Sequence, residues 1–201
     1  MPEKALDQTR AFGGVVDILE AMGVEYLIWG GVAAALYGEP RFTQDMDLVL
    51  RLDHHRGETL ARLLTEDGYY VSPGAVRDAV ERHFHFNAIH LETGIKVDFF
   101  VVGPDPVLAW AFEHARRQPF DEVRSAVFMP PEAVILAKLR AYEASGSDRH
   151  RRDIEGILRV SGPHLDMDYI GLAAARLDLA HLWRELQETV TGKHESGGAE
   201  A

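Results

Sequence analysis

Cysteine is missing from this chain altogether. That absence excludes a disulfide framework and any thiolate metal site, and it fits the cytosol. Long apolar runs are missing too. None approaches the roughly 18 residues that a membrane span needs. The first residues, MPEKALDQTR, lack the apolar stretch of a signal peptide. The expectation is a soluble, cytoplasmic protein with no membrane partner. Positive charge is scarce: 21 Lys and Arg face 32 Asp and Glu, for a formal net charge of -11. Such a chain is not a general nucleic-acid coat, because phosphate backbones would be repelled. A local basic patch could still bind phosphate, and Arg149-His150-Arg151-Arg152 is the richest candidate.

What is present suffices for a sizeable core. Hydrophobic residues make up 46% of 201, which predicts one domain, or one domain with a helical extension. Phe12, Val15, Val16, Leu19 and Met22 recur at helical spacing and predict an amphipathic helix over 5–22, ended by Gly23. Glu25 to Trp29 is short, apolar and aromatic, hence a strand. Gly30-Gly31 follows, then a short helix closed by Gly38. Met46 to Leu52 reads as a second strand, and 54–67 as a helix ending at Gly68. Phe84 to Leu91 and Ile95 to Val102 read as two strands joined by a turn at Glu92-Thr93-Gly94. A helix over 107–117 and a strand from Val123 to Met129 follow. After Pro130-Pro131 the pattern is helical only, with helices over about 132–144 and 148–160 and one or two more to about 190. The small, polar end, TGKHESGGAEA, reads as a frayed tail. The fold class is therefore α+β: a mixed β-sheet flanked by helices, followed by a C-terminal helical part. The expected divisions are a core over 1–130, helices over 131–190 and a flexible tail over 191–201.

The chemistry is expected at Asp45-Met46-Asp47, where the second strand begins. Residues i and i+2 of a strand share a face, so both carboxylates can converge on one hard cation while Met46 and Leu48 pack the other side. Magnesium takes oxygen ligands in a tight octahedron, commonly carboxylates plus substrate phosphates. A third acid on a neighbouring strand is supplied by Asp98 in Ile95-Lys96-Val97-Asp98-Phe99-Phe100. Two Mg²⁺ ions about 3.5–4 Å apart would then be bridged by Asp45 and Asp47, with Asp98 on the ion that activates the attacking hydroxyl. Mn²⁺ is the alternative ion. An Asp-x-Asp pair alone says little: Asp166-Met167-Asp168 repeats the tripeptide before a helix and reads as an N-cap. Context separates the first pair, through the strand before it, the glycine pair, the short helix and the third strand-borne acid.

Glycines between a strand and a helix let backbone N–H groups approach a ligand, and the helix N-terminus favours an anion. Gly30 and Gly31 are thus candidates to cradle the phosphates of an NTP. Arg41 is a candidate for a triphosphate oxygen or a plain surface arginine. Thr43 is a candidate to brace the aspartate loop by hydrogen bonding. Lys138 lies in a largely apolar helix and reads equally as a snorkelling surface lysine. His83 and His85 alternate with Phe84 and Phe86, but no third or fourth zinc ligand is evident.

Gly30-Gly31, then Arg41-x-Thr43-x-Asp45-x-Asp47, then Lys96-Val97-Asp98-Phe99-Phe100, resembles the minimal nucleotidyltransferases of the DNA polymerase β superfamily. The pattern is similar to the bacterial group around the AbiEii/AbiGii-type toxins, over residues 25–160. Lys138 in Ala137-Lys138-Leu139-Arg140, followed by Arg152-Asp153-Ile154, resembles the Lys and Arg-Asp motifs of that group. The resemblance implies a nucleotidyltransferase-like sheet and a metal-dependent transfer of NMP from an NTP to a hydroxyl. It implies nucleotide-binding roles for Lys138, Arg152 and Asp153. It also implies an acceptor that is tRNA, protein or a small hydroxylated molecule, and a toxin role with a cognate antitoxin. An antibiotic-modifying enzyme and a non-catalytic nucleotide- or partner-binding module are the rival readings.

Overall fold

The structure, a computed structural model, describes residues 2–196, with side chains over 7–190. Two compact units divide the chain: Met1–Val32 with Thr43–Met129, and Ala33–Phe42 with Pro130–Ala201. No described helix is long and apolar enough to cross a membrane.

The first unit holds a seven-stranded sheet. Its strands are β1 (Tyr26–Trp29), β2 (Met46–Leu50), β3 (Tyr69–Val71), β4 (His85–His90), β5 (Lys96–Val101), β6 (Arg116–Pro119) and β7 (Ser125–Phe128), in the order β3-β4-β5-β2-β1-β7-β6. β2 pairs parallel with β5, and β1 parallel with β7; the other neighbours are antiparallel. Helices α1 (Pro2–Met22), α3 (His54–Glu66), α4 (Pro73–Arg82) and α5 (Pro106–Glu113) accompany it. The helix α2 (Gly30–Tyr37) directly follows β1.

Period-two alternation gives the sheet two unlike faces. Met46, Leu48, Leu50, Val97, Phe99, Phe86 and Ala88 are almost wholly buried on one of them. Phe86 and Phe99 stack there with ring centroids 4.8 Å apart. The Tyr69 hydroxyl, on the same side, donates to the Ala11 carbonyl of α1. The apolar stripe of α1 (Phe12, Val15, Val16, Leu19) is buried as its spacing predicts. At the far end of the sheet, Arg124 bonds Asp17 of α1 and Asp121 at the turn between β6 and β7.

Residues 69–83 carry no predicted element, and the structure fills them with β3 and α4. Three residues are too few to display a period, so β3 escapes pattern reading. The start of α4 was written in its cap: the Ser72 side chain accepts from the Ala75 N–H, with Pro73 at the first helical position. The helix expected over 107–117 stops at Glu113, and Arg116–Pro119 is strand β6. Pairing with β7 decides that segment against its local pattern.

The second unit is helical beyond Pro130: α6 (Pro131–Ser145), α7 (Asp148–Ser161), α8 (Met167–Arg176) and α9 (Ala180–Ser196), with a 3₁₀ turn at Gly162–His164. α9 includes the first residues of the segment read as a tail, and 197–201 lie outside the described residues. Two features tie the 33–42 segment to α7. A Cβ on Gly38 would sit 2.9 Å from the Ile157 nitrogen and 2.9 Å from the Ala34 carbonyl, so only glycine permits this approach. Arg41 then binds Asp153 through two bonds, Nε to Oδ1 at 2.7 Å and Nη2 to Oδ2 at 2.9 Å. Lys138 of α6 reaches the same carboxylate, Nζ to Oδ2 at 2.6 Å. Burial alone would raise the Asp153 pKa, yet the hydrogen bonds from Arg41 and Lys138 outweigh it and hold the carboxyl below its ordinary value.

Gly38→Ala is expected to destabilise the protein by about 1–3 kcal/mol, because backbone must move to admit the methyl. Gly74→Ala, where the nearest outside atom is 3.8 Å away, should instead be neutral or stabilising by about 0.4–1 kcal/mol. Urea midpoints compare the two, and equal shifts would refute the close-contact account. Asp153→Asn should cost roughly 3 kcal/mol at neutral pH, since two cations lose their counter-charge. A depressed folded pKa contributes stability above the unfolded value that is lost as pH falls through the folded one. The gap between wild type and variant should therefore narrow below about pH 4. A gap that stays constant from pH 7 to pH 3 would remove the ion cluster as its cause.

Candidate active site

Of the residues singled out in the sequence, Asp47 and Asp98 share the face of the sheet opposite the buried one. β1 is antiparallel to β2, β2 parallel to β5, and β5 antiparallel to β4. The registers Trp29↔Asp47, Asp47↔Asp98 and Asn87↔Asp98 therefore place four residues in one row across four strands. Cross-strand partners project to the same face. Asp47 and Asp98 consequently stand side by side, with Trp29 beyond Asp47 and Asn87 beyond Asp98. Phe100, two residues after Asp98, lies on this face too. The Trp29 ring meets it edge-on with centroids 5.1 Å apart. Trp29 Nε1 is buried there without a hydrogen-bond partner.

Asp47 also explains the glycine pair. Gly30 has φ +63, and a Cβ added to it would lie 1.9 Å from Asp47 Oδ2. Any side chain at 30 would be expelled by the carboxylate, and the backbone there suits glycine on its own account. The Gly31 N–H donates to the same oxygen over a long 3.4 Å. Expected as a cradle for phosphate, these glycines make their contact in this structure with Asp47.

Asp45 precedes β2 and is half-buried. The Thr43 hydroxyl donates to the Asp45 carbonyl at 3.2 Å, the bracing expected of it, and Gln8 donates to the Thr43 carbonyl from α1. A lysine that sequence reasoning passed over completes the picture. Lys96 Nζ is 2.7 Å from Asp98 Oδ2. Its pKa is raised, first by the hydrogen bond to Asp98 and, against some loss to burial, by the charges of Asp98, Asp45 and Asp47. One ammonium thus feels all three carboxylates. The signal was available, since Lys96 and Asp98 are i and i+2 of one strand and share a face.

A hard divalent ion suits an all-carboxylate donor set. Among the described residues, however, no three His, Cys, Asp or Glu side chains form a group that could hold a metal ion. Asp98 is engaged by Lys96, and Asp47 accepts from the Gly31 N–H of the glycine turn. Closing three carboxylates around a cation requires Asp98 to exchange the ammonium for it. The His83 and His85 pair forms no zinc group either.

In the second unit, Arg41, Lys138 and Asp153 form the ion cluster described above, and the exposed Arg152 lies one residue before Asp153 on α7. Lys138 is 6% exposed, so the snorkelling alternative does not hold. Nearby His150 has its pKa lowered, by burial first and then by the Lys138 charge, which keeps it neutral near pH 7. Within the basic run, Arg151 lies 3.5 Å from both Asp148 and Glu155. Asp166, the look-alike acid, caps α8 by accepting from the Tyr169 N–H at 2.9 Å, as its position predicted.

No protein-family model matches the chain, and no curated protein matches it. Solved structures do. The solution structure of the antibiotic-resistance factor ANT(2'')-Ia matches with a TM-score of 0.58 at 15% identity, covering 95% of this chain and 98% of that one. An antigenic nucleotidyltransferase-like protein from Paracoccidioides brasiliensis matches with a TM-score of 0.54 at 18% identity, over 89% and 93% of the two chains. The lincosamide antibiotic adenylyltransferase LnuA, solved with lincomycin bound, gives 0.50 at 13% identity, over 75% and 96%. At such identities the likeness is one of architecture, and the architecture is clear: a seven-stranded mixed sheet with its helices in the nucleotidyltransferase fold.

Proposed function

We propose that this chain is a metal-dependent nucleotidyltransferase, which moves an NMP from an NTP to a hydroxyl of an acceptor and releases pyrophosphate. The observation that carries the reading is the register of Asp47 with Asp98 on parallel strands of a nucleotidyltransferase fold. Surface acids at strand ends need neither a shared row nor a glycine turn cut to fit one of them. Here both occur, at Asp47 and Gly30.

Asp45, Asp47 and Asp98 would hold two Mg²⁺ ions, or Mn²⁺, which when bound neutralise the triphosphate and make the acceptor hydroxyl more acidic. The Asp98 carboxylate takes the hydroxyl proton. The acceptor oxygen bonds to the α-phosphorus, the bond from that phosphorus to the bridging oxygen breaks, and pyrophosphate leaves. The Gly30-Gly31 turn fixes the Asp47 carboxylate and offers N–H groups at the start of α2. The motif resemblance implies nucleotide-binding roles for Lys138, Arg152 and Asp153, while Arg41 and Thr43 are candidates by their place before the aspartate pair. Most of the acceleration comes from positioning and charge neutralisation.

The acceptor divides the rival readings. ANT(2'')-Ia has been solved in complex with adenylyl-2''-tobramycin, with a TM-score of 0.55 to this chain at 15% identity. That supports an antibiotic or another small hydroxylated molecule. The motif resemblance supports a toxin acting on tRNA or protein beside a cognate antitoxin. A non-catalytic nucleotide- or partner-binding module is the reading in which transfer is absent.

Calorimetry with each NTP and Mg²⁺ tests the core claim. Wild type should bind at least one NTP in a Mg²⁺-dependent way, and Asp47→Asn should lose that binding and reduce labelled NMP transfer by at least about 10²-fold. NTP binding that survives chelation of the metal would overturn the two-metal proposal. Binding without transfer to tRNA, protein or small molecules would leave the binding module. Gly30→Ala should mimic Asp47→Asn in the transfer assay, since its methyl displaces the same carboxylate. Full activity in that variant would break the link between glycine and site.

A further inference from the structure

The row of the sheet that carries the carboxylates continues past them. Beyond Asp98 stands Asn87 of β4, its register partner, with an exposed side chain. Two residues along, His85 is the partner of Phe100 and stacks on it, with centroids 5.6 Å apart and planes 29° from parallel. The Phe84 ring lies against His85 at 4.5 Å and is 61% exposed. On the other side, Ile89 faces Lys96, and Tyr70 of β3 faces Ile89; Tyr70 is 61% exposed. The carboxylates are therefore bordered by a strip of open sheet with a carboxamide at its centre and aromatic rings along one margin. None of these residues has a part in the reaction given above.

The chemistry of the strip is selective. β3 and β4 contain no lysine or arginine, so nothing on them neutralises a phosphate backbone. Next to the strip, Asp47 and Asp98 on the adjoining strands and Asp45 just before β2 all act on one ammonium, that of Lys96. An aromatic margin accepts the C–H face of a sugar-like ring, and a carboxamide both donates to and accepts from hydroxyls.

We propose that this strip is the acceptor subsite and that it takes a small polyhydroxylated ring bearing amines. Asn87 holds a hydroxyl of the acceptor next to Asp98, the His85–Phe100 stack supports the ring, and the net negative charge of the site with its nucleotide and metal bound draws the amines. This proposal rests on the nucleotidyltransferase reading: the acceptor oxygen that bonds to the α-phosphorus, and whose proton goes to Asp98, is placed by Asn87. Asn87 is a specificity-determining residue in this scheme, and an RNA acceptor is disfavoured because the strip lacks a cation for its phosphates.

The experiment uses the full chain and the aminoglycoside tobramycin as probe, with neutral sucrose and bulk tRNA as comparators, all measured by calorimetry. Wild type should bind tobramycin at least tenfold more tightly than sucrose. Asn87→Ala should weaken tobramycin about tenfold, the worth of one good hydrogen bond. His85→Ala should weaken it severalfold. Both variants should keep wild-type affinity for the NTP–Mg²⁺ complex, a split that general loss of folding would not produce. The proposal is overturned if tobramycin does not bind, if Asn87→Ala binds it as wild type does, if the variants lose nucleotide and tobramycin together, or if tRNA binds in its place. Failure of the underlying enzymatic reading shows separately, as wild type that binds no NTP with Mg²⁺ whatever tobramycin does.

Discussion

Two like charges in register on adjacent parallel strands repel. For Asp47 and Asp98, register partners on β2 and β5, the cost of such a placement is on the order of 0.2–1 kcal/mol. A sheet selected for stability alone would not place them so. Much else on this face can be understood as a response to that placement. Lys96 sets an ammonium 2.7 Å from Asp98, where the charges of Asp45 and Asp47 also act on it. Gly30 yields the space that Asp47 takes. Thr43 braces the Asp45 backbone. These devices lower the strain without removing it, as expected where a site is completed by a divalent ion and a substrate.

The two units answer the problem of buried charge in different ways. On the sheet, the acids remain partly in water and the cation beside Asp98 is 39% exposed, so their interaction is screened. In the helical unit, Asp153 and Lys138 are nearly fully buried and Arg41 closes the cluster with two bonds. There the carboxylate is tied on both oxygens, and each partner depends on the others being charged. Such a cluster fixes the 33–42 segment against α6 and α7 more strictly than apolar packing would, because only one geometry satisfies it. The close approach of Gly38 to α7 is the steric half of the same attachment.

How much of this the sequence displayed depends on the range of the interaction. Alternation in β4 and β5 and the turn at Glu92-Thr93-Gly94 were legible because they are local. The same alternation puts Asp98 on a face opposite Val97 and Phe99. The cap at Ser72-Pro73 was equally local and was overlooked, while β3 beside it is too short to be read by period. β6 lost out to a helical pattern because its identity lies in β7, not in itself. The bond of Arg41 to Asp153 joins residues 112 apart, and nothing in either neighbourhood announces it. Lys138 shows the same limit. Its apolar surroundings in sequence suited a snorkelling lysine, whereas burial and a carboxylate from another helix decide otherwise.

A strand's alternation also separates the tasks of the first unit. Phe86, Ala88, Val97 and Phe99 lie on the buried face and are at most 2% exposed, so changes to them strike the core. Asn87, Asp98 and His85, interleaved among them, point away and carry little of that packing. Chemistry on the open face can therefore vary with small cost to folding, provided the register holds. Register is in turn secured by the buried face, since a slip of one residue would drive Asp98 into the core and Phe99 into water. The carboxylate pair is thus positioned by residues that never touch it. Strained as it is, the pair persists because the hydrophobic side of the same strands leaves it no other place to stand.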